Sequence, residues 1–494
     1  MTDHSSFPDP TYKRTVLAPL FDGVKTHYAG HMMAINEAHL VMLVETGILI
    51  TAQGRQIAGA LAAISTEVDV EALTYTGEHE DFFFLVEAEL KARLGDLGGM
   101  LHTARSRNDM DHTMFKMALQ ARTDALMAQG LALSTALTAK ARKEAATPIV
   151  AYTHGQPAQP TTFGHYLAAT IEVLVRDLER LAHAREALDH CPMGAAAITT
   201  SGFPIDRARM ANLLGFTGPT LNSYGSIAAV DYVTGLYSAL KLMFLHLGRV
   251  VQDMAFWSAF EVGQLRVPNA LVQVSSIMPQ KRNPVPIEHM RHLASVTCGH
   301  CDTLIGTMHN TPFTDMNDSE GEVQAAGYRA FDSGGRVLDL LAAFLPACSI
   351  NGERVRANAD AACVTVTELA DSLVRRDGLS FRQAHEVAAA TARAVIAEGT
   401  PLAEGYPAFE AAFEDETGRA PSHSAESFAE AVSLEGFIAS RERTGGPGPN
   451  ALASALSTFE SQLATLAQRR EAHRARIAVA DENRAAAFAA LMTE

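Results

Sequence analysis

The sequence predicts an all-α fold of three helical domains, with a central bundle of long helices. Three observations carry this expectation. Long runs of the 494-residue chain lack proline, apolar residues within them recur near helical spacing, and Val/Ile alternation of the strand type is scarce. A hydrophobic content of 47% supplies a large core, and the length suggests about three domains at roughly 150 residues each.

Residues 1–112 read as a smaller helical domain. The central domain, 113–360, rests on four runs. Residues 113–147 contain no Pro and one Gly, enough for a helix of roughly 50 Å. Residues 164–190 place Leu167, Ile171, Leu174, Leu178 and Leu181 near helical spacing. Residues 226–260 form the third run, and its middle, 240–247, is apolar nearly all round, which calls for burial among several helices. Residues 287–309 form the fourth. A third domain, 361–494, contains a loop-rich stretch at 400–424. It ends in the Ala-rich, charged stretch 452–494, which reads as one or two exposed helices. No internal repeat of fixed period is present.

A formal charge of -16, from 40 basic and 56 acidic residues, argues against nucleic-acid binding. Asp231, Lys241, Arg249 and Asp253 interrupt the longest apolar stretches and disfavour a membrane span. The N-terminus is polar through Lys13, with no apolar segment after it, which speaks against a secretory signal. Five cysteines make no disulfide framework. Cys298 and Cys301 have CxxC spacing around His300, but no second pair matches them and the segment reads as helix, so no metal site is expected. These features together predict a cytoplasmic enzyme without metal or cofactor.

Three polar stretches interrupt the helical pattern. Ser275-Ser276-Ile277-Met278-Pro279-Gln280-Lys281-Arg282-Asn283-Pro284 combines hydroxyls, cations and a carboxamide in a run too proline-broken for a helix interior. His102-Thr103-Ala104-Arg105-Ser106-Arg107-Asn108-Asp109 lies just ahead of the first long run. Tyr152-Thr153-His154-Gly155-Gln156-Pro157-Ala158-Gln159-Pro160 lies between the first and second. The first stretch resembles the signature loop of the fumarase/aspartase superfamily, and the second resembles the argininosuccinate lyase motif. The third resembles the superfamily's Thr-His-x-Gln motif. Smaller echoes occur at Gly202-Phe203-Pro204-Ile205-Asp206-Arg207 and Gly445-Gly446-Pro447. The resemblance covers nearly the whole chain in the expected order. It implies a homotetramer whose subunits pool their central helices, with each active site built from three chains.

The implied reaction is reversible elimination of fumarate from an N-substituted aspartate, with a small-molecule amine as the other product. It requires removing a proton from carbon beside a carboxylate, so negative charge accumulates on that carboxylate in the transition state. Cations and N–H donors must face it. Lys281 and Asn283 are the natural candidates, with the Ile277 and Met278 amides as further donors. By resemblance Ser275 is the general base, acting as an alkoxide; a serine anion needs a nearby cation and N–H dipoles. Ser276 reads as a turn residue beside the substrate. Arg107 can grip a carboxylate bidentately, with Ser106 and Asn108 adding directional hydrogen bonds. His154, next to Thr153, is the candidate for protonating or orienting near the leaving amine. Glu288 matches the family's acidic partner of that histidine, and Gln156 and Gln159 read as supporting hydrogen-bonders.

Several positions depart from the family pattern. Ala104 and Val274 stand where glycine is usual. An Asp and a Ser that help hold the arginine half in argininosuccinate lyases align with Met32 and Asn36. An acidic element ending in an active-site His appears as Glu80-Asp81-Phe82-Phe83, and a tyrosine is replaced near Phe313. These changes lie on the leaving-group side, which is then expected to lack an acidic partner for an ammonium or guanidinium group. The expected substrate is accordingly an adduct other than argininosuccinate, such as an aminopolycarboxylate. The other readings are a plain argininosuccinate lyase, a carbon–sulfur lyase on a succinylated thiol, and a silent crystallin-like homologue.

Overall fold

The computed structural model describes residues 7–493; the first six residues of the polar N-terminus lie outside the described residues. Helices α1 (Ala29–Glu45), α2 (Thr51–Glu67) and α3 (Phe82–Leu94) precede the bundle. The bundle comprises α4 (Arg107–Lys143), α5 (Phe163–Glu186), α6 (Asp231–Ser258), α7 (Val285–Thr307) and α8 (Gly321–Ala347). All four runs expected from sequence are helical, and α8 adds a fifth. Helix α4 starts at Arg107 because Ser106 and Asp109 form a capping box there. Its 37 residues span about 55 Å.

The helices alternate in direction, which gives the bundle two distinct ends. At the end where α4 begins, His112 Nδ1 meets the Tyr232 hydroxyl of early α6 at 3.1 Å. Lys116 Nζ there donates to the His190 carbonyl beyond α5 at 2.9 Å. At the far end, Tyr166 donates to Asp253 at 2.7 Å and Lys140 donates to the Cys348 carbonyl at 2.8 Å. Close packing between α6 and α8 depends on glycine: a Cβ at Gly334 would lie 2.5 Å from the Phe244 ring.

Leu240, Met243, Phe244 and Leu247 of α6 are buried. Leu242 and Leu245 on its other face remain 38% and 46% exposed, so burial all round, the sequence expectation, holds for one face of this helix within the single chain.

Most of the short strands lie at the far end, while His190–Cys191 pairs with Gly218–Pro219 at the end where α4 begins. A hairpin of β1 (Pro148–Thr153) and β2 (Gln156–Thr162) joins α4 to α5. In the α6–α7 connection, β4 (Gln273–Val274) pairs with β5 (Arg282–Asn283), and β3 (Leu265–Arg266) pairs with β6 (Ser349–Ile350), which follows α8.

Helices α9 (Val366–Asp377), α10 (Phe381–Glu398) and α11 (Tyr406–Thr417) share a separate core around Phe409, Phe413 and Phe428. The stretch expected to be loop-rich therefore contains a helix, α11, stopped at Gly418 in the left-handed conformation. The C-terminal stretch is one 45-residue helix, α12 (Pro449–Thr493). Much of its surface is exposed, as expected, but one stripe of it is buried. Leu452, Leu456 and Leu466 enter the main core, and Arg484 pairs with Glu37 of α1 at 3.1 Å. Arg476 pairs at 2.7 Å with Asp189, which also holds the fully buried Arg185. Among the described residues no helix is long and apolar enough to cross a membrane.

Candidate active site

The argininosuccinate lyase-like motif forms the entrance to α4. Ser106 caps the helix: its Oγ accepts the Asn108 amide at 3.4 Å and donates to Asn108 Oδ1 at 3.2 Å. Asp109 accepts the Ser106 amide at 3.0 Å and, on its other oxygen, the Gly194 and Ala196 amides at 2.9 Å each. Burial still pushes its carboxyl up to about 6, against the effect of those bonds. Ala104 has φ 61°, in the left-handed region. The usual glycine would be unstrained there; the methyl of alanine costs roughly 1 kcal/mol.

Arg107 is held by protein carboxylates. Its Nη1 donates to Asp81 at 2.7 Å and Glu80 at 3.0 Å, and its guanidinium lies 5.0 Å from the Phe84 ring centre. Burial works against its charge, but the two carboxylates outweigh that and raise its pKa. Asn36 is buried and accepts from Arg105 Nη1 at 2.7 Å. Phe83, where the family has histidine, packs on His102 at 5.0 Å between ring centres and lies 5.8 Å from the Arg105 guanidinium.

At the other end of the bundle, the Thr-His-x-Gln motif makes a two-residue hairpin turn. His154 and Gly155 have φ 54° and 75°, and Thr153 faces Gln156 across the ladder. Positive φ at both positions fits a type I′ turn, which suits the twist of paired strands. Thr153, His154 and Gln156 are exposed at the tip, while Gln159 donates to Thr367 Oγ1 at 3.5 Å. The sequence pattern marked this segment as a turn; its flanks are strands. Gln264 fastens the hairpin to the α6–α7 connection, accepting the Val150 amide at 3.2 Å and donating to the Val150 carbonyl at 3.3 Å.

That same connection carries the signature loop. The β4–β5 pair closes it and leaves residues 275–281 as its tip. The half-buried Ser275 directs Oγ back to the backbone amides of Ile277 and Met278, at 3.3 and 3.1 Å. These are the N–H dipoles that a serine alkoxide needs. The sequence reading assigned the two amides to the substrate carboxylate; here both serve the Ser275 oxygen. Ser276, Met278 and Lys281 are exposed, and the Lys281 amide donates to the Met278 carbonyl at 3.0 Å. Asn283 pairs with Gln273 in the ladder, and Glu288 is exposed in the first turn of α7. Val274 lies in a strand, with its side chain 77% exposed.

Thr153, His154, Gln156, Ser275, Lys281, Asn283 and Glu288 thus share one end of the bundle. Ser106, Arg107, Asn108 and Asn36 lie at the other, about 55 Å of helix away.

Residues 24–299 match the family model described as lyase, and residues 363–439 match the one described as argininosuccinate lyase C-terminal. Argininosuccinate lyase 2 of Agrobacterium fabrum is 58% identical, over 96% of this chain and 95% of that protein. The argininosuccinate lyase of Halorhodospira halophila is 35% identical over 87% of this chain and 90% of its own. The chain belongs to the argininosuccinate lyase family. Among solved structures, an EDDS lyase variant with bound fumarate superposes with TM-score 0.85 at 26% identity, covering 97% of this chain and 95% of that one. A class II fumarase from Schistosoma mansoni shares the fold, with TM-score 0.68 at 16% identity over 86% of this chain and 91% of its own. As a family member the chain is a fumarate-releasing carbon–nitrogen lyase.

The end of the bundle that carries Arg107 holds further acidic residues besides Glu80 and Asp81. Asp111 follows Arg107 by one helical turn, and the connection from α7 to α8 brings Asp315 and Glu320 beside it. Burial raises the Glu320 carboxyl to about 7, with the neighbouring Asp315 adding to the shift. Burial also raises Asp111 well above the carboxylate range, with Glu320, Asp81 and Asp315 contributing and Arg107 opposing. The i,i+4 spacing of Arg107 and Asp111 was visible in the sequence. The approach of Asp315 and Glu320 was not, because it is made by the return of the chain after α7, about two hundred residues beyond Arg107. Phe313 itself is exposed and stacks on Tyr224, whose hydroxyl donates to the Phe313 carbonyl at 3.0 Å.

Proposed function

We propose that this lyase eliminates fumarate from an N-substituted aspartate other than argininosuccinate, as a cytoplasmic homotetramer with composite sites. In this reading Ser275 takes the proton from the carbon beside the reacting carboxylate. Lys281 and Asn283 bear the charge that develops there, and the carbon–nitrogen bond then breaks. His154, oriented by Glu288 and flanked by Thr153, gives a proton to the departing amine. Ser106, Arg107 and Asn108 of a different subunit anchor the substrate, with Gln156, Ser276 and Met278 at the rim.

The observation that carries this reading is the pair of amides on the Ser275 oxygen. The composite site is supported by the distance between the two motif sets and by the apolar residues left bare on α6. Five free cysteines suit a reducing compartment. The leaving-group reading is supported by Met32 and Phe83, both buried and apolar where the family is polar, and by the EDDS lyase likeness. The relative named argininosuccinate lyase 2 favours a second reading, in which argininosuccinate is the substrate.

Fumarate release measured across a panel of N-substituted aspartates separates the two. Argininosuccinate is expected to fall below the best adduct by at least about tenfold in kcat/KM, on the order of one lost polar contact. Argininosuccinate as the best substrate would establish the second reading.

A further inference from the structure

The end of the bundle that carries Arg107 crowds five carboxyl groups, those of Glu80, Asp81, Asp111, Asp315 and Glu320, around that one guanidinium. Glu80 and Asp81 both bond to Arg107 Nη1. Asp111, Asp315 and Glu320 lie within electrostatic reach of one another, and among the described residues Arg107 is the cation that acts on Asp111 and Glu320. Buried like charges without a counter-charge are costly, and proteins normally pair them.

A second, independent feature points into the same cluster. His112 is fully buried, with its Nδ1 held by Tyr232 at 3.1 Å. Its Nε2 has no hydrogen-bond partner, and neither does the buried Oδ1 of Asp315 that it faces at 3.9 Å. That spacing is too long for a direct hydrogen bond. Burial, with Lys116 nearby, holds His112 down to about 4, so the ring is neutral at physiological pH and supplies no counter-charge to Asp315. The surroundings thus present carboxylate oxygens and an unpartnered imidazole nitrogen, with one cation already engaged. This chemistry accepts a charged N–H donor and repels a carboxylate.

We propose that Asp111, Asp315 and Glu320 form the subsite for the leaving half of the substrate, and that this half carries a second cationic nitrogen with no carboxylate beside it, as a diamine does. The inference rests on the fumarate-releasing reading above and names the class of amine that this reading leaves open. An aminopolycarboxylate leaving group would bring its carboxylates against the acidic cluster. A diamine places one nitrogen at the bond that breaks and its second ammonium among the three carboxyl groups, favouring their ionised forms.

The addition direction tests this. Fumarate is supplied with 1,4-diaminobutane or butylamine, and separately with arginine or its decarboxylated analogue agmatine, and fumarate loss is followed. In the productive reaction one amine nitrogen bonds to an alkene carbon of fumarate and one proton ends on the neighbouring carbon. The expected result is a kcat/KM for the diamine at least about tenfold above the monoamine, beyond the statistical advantage of two amino groups, and agmatine above arginine. Glu320→Gln and Asp111→Asn should each lower the diamine-to-monoamine ratio by about tenfold without lowering the melting temperature. Equal use of monoamine and diamine, or a preference for arginine, overturns the subsite and leaves the lyase reading standing. A lowered melting temperature with an unchanged ratio assigns the carboxylates to structure and also overturns it. No fumarate consumed with any nucleophile, and none released from any adduct, overturns the lyase reading and the subsite together.

Discussion

The two ends of the bundle present opposite kinds of chemistry. Where α4 begins, the motif residues are tied down: Ser106 caps a helix, Arg107 holds two carboxylates, and Asn36 is buried against Arg105. At the other end, His154 sits on a hairpin tip and Lys281 and Ser276 on a loop tip, all exposed, beside Val274 and Ile277 at 77% and 82% exposure. The end proposed to anchor substrate is over-determined by its own chain. The end proposed to carry the base is fastened near its root, by Gln264, by the β4–β5 pair and by Arg282, which donates to the Val267 carbonyl at 2.7 Å. Rigid anchoring suits a carboxylate grip, whereas a serine base needs a loop able to close and exclude water. The contrast leads to the expectation that changes at the loop end alter rate without stability, and that changes at the Arg107 end alter both.

The largest effect is expected from Ser275→Ala. Turnover should fall by about a thousandfold, within the range for loss of a general base, while the melting temperature stays at the wild-type value. Fumarate release and a thermal melt on the same sample check this; a variant that keeps most of its kcat would remove Ser275 from that role.

Arg107→Lys comes next. Lysine keeps the charge but not the planar fork, so kcat/KM should drop by about 10- to 100-fold. The melting temperature should drop as well, since the Asp81 and Glu80 bonds weaken. Unchanged stability would erase the difference between the two ends.

A smaller effect tests the acidic cluster by pH. Glu320 faces Asp315, Asp111 and Arg107, and its carboxyl is raised to about 7. A carboxyl raised in the folded state binds its proton more tightly than in the unfolded chain, so stability falls as pH rises from the ordinary glutamate range through about 7. Glu320→Gln removes that penalty. Its melting temperature should match wild type near pH 4.5 and exceed it above pH 7, by on the order of 1–2 °C. An advantage that does not change with pH would contradict the assignment. The smallest effect is expected from Ala104→Gly, which relieves a left-handed alanine and should stabilise by roughly 1 kcal/mol in a denaturant titration.

Much of the fold was legible because the long helices announce themselves locally. Proline-free apolar runs marked α4 to α7, and the cap at Ser106 explains why α4 begins six residues before the predicted run. Helix α11 was hidden by Gly405, Pro407 and Gly418, which bracket it and read as loop. Helix α12 looked exposed because its buried face is a sparse stripe of leucines, diluted among alanines and charges. The candidate site was legible to the extent that its motifs are contiguous, as for the loop from Ser275 through Asn283, whose role is the one proposed above. The Ile277 and Met278 amides were foreseen as donors, but their acceptor depends on how the loop turns back on itself, which composition does not encode. The cluster of Asp111, Asp315 and Glu320 is non-local, made by the return of the chain after α7, and no single segment of sequence displays it.

The central claim is that the two ends act together only between subunits. A mixing experiment tests it most directly. Ser275→Ala and Arg107→Met proteins, each inactive alone, are mixed, dissociated in mild denaturant and reassembled, and fumarate release is measured. If Ser275 of one chain works with Arg107 of another, some reassembled sites contain neither substitution, and activity returns to a substantial fraction of wild type. If both residues served a site within one chain, every site would carry a substitution, the mixture would stay as inactive as its parents, and the account would be contradicted.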